Sequence, residues 1–139
     1  MNESAPDEHA VHAANARFYE AFAERDRSAM RSVWAEQAPI ACVHPGWQPL
    51  FGREAVLASW DAILGGPEAP DIAFAQPRVQ LYGDTAMVVC VETLPGGLLV
   101  ATNLFVREEG AWRLVHHHSG PLSEPLDLDD EPPAGGLLN

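Results

Sequence analysis

The 139 residues carry 20 acidic side chains against 8 basic ones, a formal charge of −12, and 47% of them are hydrophobic. That size and apolar content suit one domain with its own core, and so negative a field repels phosphate backbones, which argues against nucleic acid as a partner. No apolar run nears the roughly 20 residues that cross a bilayer. The opening MNESAPDEHA also lacks the basic and apolar regions of a secretory signal, so a soluble, cytoplasmic protein with no membrane partner is expected.

Taken in chain order, Val11, Ala14, Phe18, Ala21 and Phe22 recur at three- and four-residue spacing, which predicts a helix with one apolar face, capped by Ser4 or Asp7. Asp26-Arg27-Ser28 starts a shorter helix with Met30, Val33 and Trp34 as its apolar positions, and Pro39 prevents its extension. Ile40–Val43 is apolar enough for a strand, whereas His44–Pro49 has the Pro and Gly content of a loop. Gly52-Arg53-Glu54 opens a third helix with Val56, Trp60, Ile63 and Leu64 on its apolar face, and Gly65-Gly66-Pro67 ends it. From Asp71 onward the period becomes two, predicting strands over 71–81, 85–93, 98–108 and 111–119. Helices first and strands afterward indicate an α+β domain, with three N-terminal helices packed on a curved, mainly antiparallel sheet. The domain is placed at residues 1–121. Residues 122–139 form an acidic, Pro- and Gly-rich tail, of which 124–139 are expected to be dispensable for folding.

Cys42 and Cys90 each lie in an apolar segment, which suits buried thiols better than a disulfide framework. Half of the six histidines stand together in WRLVHHHSG, residues 112–120. Strand alternation puts Trp112, Leu114, His116 and His118 on one face and Arg113, Val115 and His117 on the other. Two histidines at such spacing can share a metal, but a zinc site needs a third protein ligand. His44 and Glu92 are the candidates, and neither stands in a ligand motif. No metal and no other cofactor is therefore expected, and histidines lining a cavity are the alternative.

The passages RFYEAFAERD, MRSVWAEQAPIACVHPGWQPLFGREAVLASWDAIL and ATNLFVREEGAWRLVHHHSGP resemble the NTF2-like (SnoaL-like) superfamily, which includes steroid delta-isomerases, polyketide cyclases and the association domain of calcium/calmodulin-dependent kinase. The resemblance implies a cone-shaped fold with an apolar pocket between helices and concave sheet. It also implies departures from the steroid isomerases. The position of their catalytic carboxylate falls near Cys42–His44, where no carboxylate stands; their oxyanion-donating tyrosine falls on Phe18; and their protonated aspartate falls on Asn103. Supporting tyrosines fall on Trp34 and Trp60. Enolisation needs both a base and oxygen-directed donors, so this is not a typical steroid isomerase.

Whether the chain is an enzyme is left open by these residues. The leading expectation is a pocket protein for a small apolar or aromatic, carbonyl-bearing ligand, with cofactor-independent acid–base chemistry of the isomerase, cyclase or hydrolase kind assigned to His44, His116 and Asn103. Phe18, Trp34, Trp47, Trp60, Phe105 and His118 are the expected ligand contacts, Trp47 acting as a lid. The alternative is a non-catalytic oligomerisation or ligand-sensing module. A homodimer through the outer sheet face is expected, because Thr102, Leu104 and Val106 alternate with the pocket-facing residues and need cover.

Overall fold

A computed structural model describes residues 5–67 and 69–124. Three helices, α1 (Ala5–Ala23), α2 (Arg27–Val33) and α3 (Arg53–Gly65), lie against a six-stranded sheet. Its strands are β1 (Ala41–Val43), β2 (Leu50–Phe51), β3 (Ala73–Tyr82), β4 (Thr85–Leu94), β5 (Gly97–Glu108) and β6 (Ala111–Pro121), in the order β2-β1-β6-β5-β4-β3. All neighbours are antiparallel except β1 and β6, which run parallel. The α+β fold is as the pattern of elements implied; β2, two residues long, is too short to leave a periodic signal.

Each helix boundary has a local cause. Asp26 caps α2 by accepting from Ala29 N at 3.0 Å, an arrangement worth about 1 kcal/mol. Asp7 does not cap α1, which already begins at Ala5; its carboxylate pairs instead with Arg107 at 3.0 Å. Ser4, the other proposed cap, lies outside the described residues, as does the tail from residue 125 onward. Gly52, at φ +92°, makes the turn into α3 that a side chain would strain. Arg53 then donates to Ala35 O at 2.7 Å and Trp34 O at 3.3 Å, so the Gly-Arg pair fastens the chain beyond the end of α2 to the start of α3.

The core forms where the apolar stripes of α1 and α3 meet the sheet. Phe18 and Phe22 both pack edge-on against Trp60, at 5.4 and 5.1 Å between centroids, a favoured aromatic geometry. Val11, Trp34, Val56, Phe105 and Leu114 are fully buried with them. None of the described helices is long and apolar enough to cross a membrane.

One irregularity decides the polarity of the site. Along β5 and β6, Leu104 pairs with His116 but Phe105 pairs with Leu114, so Val115 is an extra residue. Such a bulge reverses the alternation beyond it. Trp112 and Leu114 face inward before it, and His117 and Ser119 face inward after it. His116 and His118 are therefore turned to the outer face, opposite to the placement that uninterrupted alternation predicts.

Candidate functional site

Between α1, α3 and the concave sheet lies a cavity of about 510 Å³, within the usual size for a small-molecule site. Its walls are mainly apolar, with Phe22, Trp60 and Ile63 from the helices and Ile72, Leu94 and Leu99 from the sheet side. Trp47, 47% exposed, stands at the mouth. It follows Gly46 at φ +82° and rests edge-on against the ring of His44 at 4.7 Å.

Glu92 and His117 line the same cavity although they are only 1% and 2% exposed, which places them at its depth. The sheet register explains the meeting: Cys90 and Glu92 continue the inward parity of Val88 on β4, while His117 sits opposite Asn103 on the β5–β6 pair. His117 Nδ1 lies 2.6 Å from Asn103 Oδ1. The amide of Asn103 is oriented by its own donations, from Nδ2 to Asn15 Oδ1 at 2.9 Å and to Tyr19 Oη at 3.2 Å. Asn103 Oδ1 must then accept, so His117 carries its hydrogen on Nδ1 and keeps a lone pair on Nε2. That lone pair is 3.8 Å from Glu92 Oε2. Tyr19 donates to the same carboxyl oxygen at 2.5 Å, and Ser119 donates to Oε1 at 2.7 Å.

Burial disfavours the charged form of both groups. Burial pushes the Glu92 carboxyl above the usual carboxylate range, against the opposing effect of the Tyr19 and Ser119 hydrogen bonds. Burial, with smaller effects from His44, His116 and His118, pulls the His117 imidazole down to about 3. Tyr19 is raised above the ordinary phenol value by burial and by Glu92. The cavity end thus presents a carboxyl pushed toward its neutral form beside an imidazole lone pair.

His44 is the third ionisable group on the cavity wall. Ser59 donates its hydrogen to Val56 O at 2.7 Å, so it accepts from His44 Nε2 at 2.9 Å, and His44 keeps its lone pair on Nδ1. Burial lowers its imidazole to about 4. Among the described residues no three His, Cys, Asp or Glu side chains cluster as a metal site requires.

The sequence profile of the SnoaL-like domain matches residues 11–123 of this chain. The chain belongs to the SnoaL-like family. Among solved structures, this SnoaL-like domain is similar to a Streptomyces avermitilis protein of the NTF2-like family, named provisionally as a dehydratase: 36% identity, 86% of this chain and 98% of the other covered, TM-score 0.78. It is also similar to a Thiobacillus denitrificans protein named provisionally as a calcium/calmodulin-dependent protein kinase type II association domain, with 33% identity, 81% and 94% of the two chains covered, and a TM-score of 0.72. The F-box protein SKIP8 of Arabidopsis thaliana is 28% identical over 115 residues, which are 81% of this chain and 50% of that one. The chain spans about half the length of that plant relative.

In this SnoaL-like domain His44, Trp47 and Trp60 line the cavity as the sequence suggested. Seven other residues are placed differently. His116 is on the outer face with Nδ1 3.0 Å from Ala41 O, and His118 is exposed beside it, because of the bulge at Val115. His117, assigned outward from the sequence, is the inward one. Asn103 is buried behind His117 and spends its polar atoms on the protein, so it does not reach the cavity wall. Phe18, Trp34 and Phe105 are core: each is 0% exposed and none lines the cavity, although Phe18 backs the His117 ring at 4.9 Å. Glu92, weighed from the sequence only as a metal ligand, and Tyr19, Asn15 and Ser119 are the site residues that the sequence did not assign. Asn15 and Tyr19 did carry a signal, as two polar positions one turn apart on the buried stripe of α1.

Proposed function

We propose that the domain is a cofactor-independent acid–base enzyme that eliminates water from a small, largely apolar hydroxy-carbonyl compound, or adds it in reverse. The observation that carries this is the pair Glu92 Oε2 and His117 Nε2, 3.8 Å apart at the depth of an apolar cavity. An acid and a base side by side can address a hydroxyl and the hydrogen on the neighbouring carbon from one face of a substrate. His117 Nε2 takes the hydrogen next to the carbonyl, the carbon–carbon double bond forms, and the carbon–oxygen bond breaks as Glu92 delivers its proton to the departing hydroxyl. Water leaves. The resulting imidazolium and carboxylate face each other, and the proton on Nε2 returns to Oε2, so the starting state is restored without outside help. Loss of the Glu92 proton also raises the affinity of His117 for one, which couples the two transfers. The provisional name of the Streptomyces avermitilis relative supports the same reaction class.

Enone absorbance on a panel of aromatic and alicyclic β-hydroxy ketones provides the assay. Glu92→Gln and His117→Gln are each expected to lower turnover by about 10²- to 10⁴-fold, the usual contribution of a positioned acid or base, with the fold retained by circular dichroism. Turnover unchanged in both variants would refute the assignment.

Self-association is a second reading, favoured by the outer face. Thr102, Leu104 and Val106 face away from the cavity and are half-buried, in register with Val89, Met87 and Thr85 on β4. The same row continues through His116 and Ala41 to Phe51, which is 73% exposed. A relative provisionally named as an association domain adds support. We propose a homodimer through this face. Light scattering is expected to give twice the chain mass and Leu104→Glu to halve it; a monomeric mass for the unaltered protein contradicts the proposal.

A further inference from the structure

We infer that the cavity selects an uncharged, hydroxyl-bearing apolar molecule and rejects the same skeleton when it carries a carboxylate or phosphate. The position of the hydroxyl rests on the acid–base reading above, while the charge selection rests on separate observations. All eight basic residues of the chain are arginines, and none is among the described residues that line the cavity. Arg31 pairs with Asp61, Arg53 donates to the carbonyls following α2, and Arg107 is held between Asp7 and Asp84. Arg25 touches the rim through Ala69 O, where Asp71 lies 3.9 Å from its guanidinium.

The polar groups inside reinforce the selection. An incoming anion would meet Glu92, a carboxyl already forced toward its neutral form, and two imidazoles that burial keeps uncharged. A charge taken from water into such walls without a counter-ion is strongly disfavoured. An uncharged hydroxyl is matched instead. The 3.8 Å between Glu92 Oε2 and His117 Nε2 is too long for a direct hydrogen bond, yet an oxygen about 2.8 Å from each spans it at an angle of about 85°. The oxygen of a simple alcohol donates there to the Nε2 lone pair and accepts from the Glu92 carboxyl, satisfying two buried groups with one atom, whereas the hydroxyl of a hydroxy-carbonyl substrate keeps the Glu92 contact and yields Nε2 to the neighbouring C–H.

The test is calorimetric titration of the full chain at pH 7 with four probes on one skeleton: 2-naphthalenemethanol, 2-methylnaphthalene, 2-naphthoate and 2-naphthylmethylamine. The alcohol is expected to bind most tightly and the carboxylate about 10- to 100-fold more weakly, as an uncompensated buried charge implies. Leu99→Arg, which puts a guanidinium on the cavity wall at a half-buried position, is expected to bring the carboxylate to parity or better; 2-methylnaphthalene binding serves as the control for an intact cavity. Carboxylate binding as tight as the alcohol in the unaltered protein overturns the inference. So does a preference for the ammonium, because it shows Glu92 acting as an anion, and so does continued exclusion of the carboxylate by Leu99→Arg. Binding of none of the four also overturns it. The acid–base reading fails separately: the alcohol and 2-methylnaphthalene then bind equally, and Glu92→Gln and His117→Gln alter neither, while the carboxylate arm still decides the charge selection.

Discussion

Asn103→Leu is expected to destabilise the domain by about 3–5 kcal/mol, since each buried polar group left without its partner costs about 1–3 kcal/mol. Leucine fills nearly the same volume, so the loss isolates hydrogen bonding from packing. Removing the amide takes the acceptor from His117 Nδ1, the donor from Asn15 Oδ1 and one donor from Tyr19 Oη, all in a region from which water is excluded. For a domain of this size the thermal midpoint should fall by about 10–20 °C. Thermal denaturation followed by circular dichroism checks it, and a fall under about 3 °C would show that the three partners find other acceptors and donors. The same substitution frees the His117 ring to turn, so the acid–base reading proposed above implies a loss of turnover beyond what incomplete folding explains, at a temperature where the variant remains folded.

Acid destabilisation is the second large effect. His117 and His44 are neutral in the folded chain, with values near 3 and 4 against an ordinary 6.5. Below 6.5 the unfolded chain takes up a proton at each site that the folded chain refuses, so stability drops as pH falls, by about 1.4 kcal/mol per pH unit for each imidazole. Glu92 has the opposite sign: its raised folded value makes the folded chain hold a proton that the unfolded chain has lost above about 4.5. Between pH 6.5 and 4.5 the two imidazoles therefore make stability fall as pH falls, and Glu92 offsets part of that loss. Urea denaturation at intervals of half a pH unit measures it. Glu92→Gln is expected to steepen the slope and His117→Gln to flatten it. Identical slopes in the unaltered protein and both variants would mean that neither group titrates as its burial dictates.

The contrast between the fold and the site is instructive about what a sequence can convey. Helix faces were legible because each stripe is a local repeat: Val11, Ala14, Phe18 and Phe22 on α1, or Val56, Trp60 and Leu64 on α3, name their buried sides without reference to anything distant. The strands from residue 73 onward were legible for the same reason. Alternation through the histidine triplet failed because Val115 is a bulge whose position is set by the curvature of the whole sheet and by pairing with β5, neither of which leaves a mark in WRLVHHHSG. Glu92 had a mark that was only half used. An acid at the inward parity of Val88 and Cys90 must be neutralised or hydrogen-bonded, but its partners Tyr19 and Ser119 are 73 and 27 residues away. Trp34 and Phe18 drew attention through resemblance to positions that hold polar groups elsewhere, whereas here the apolar substitutions have simply joined the core.

The proposed acid–base pair depends most directly on the state of one imidazole, that of His117. Long-range proton–nitrogen correlation spectra of the histidine rings, with His117 identified by the signals lost in His117→Gln, report both its tautomer and its titration. The expected result is a neutral ring protonated at Nδ1 and bare at Nε2 throughout the range from pH 7 to about 4.5, consistent with a folded value near 3. A ring that carries its hydrogen on Nε2, or that titrates with a midpoint near 6.5, would contradict the acid–base pair at the depth of the cavity.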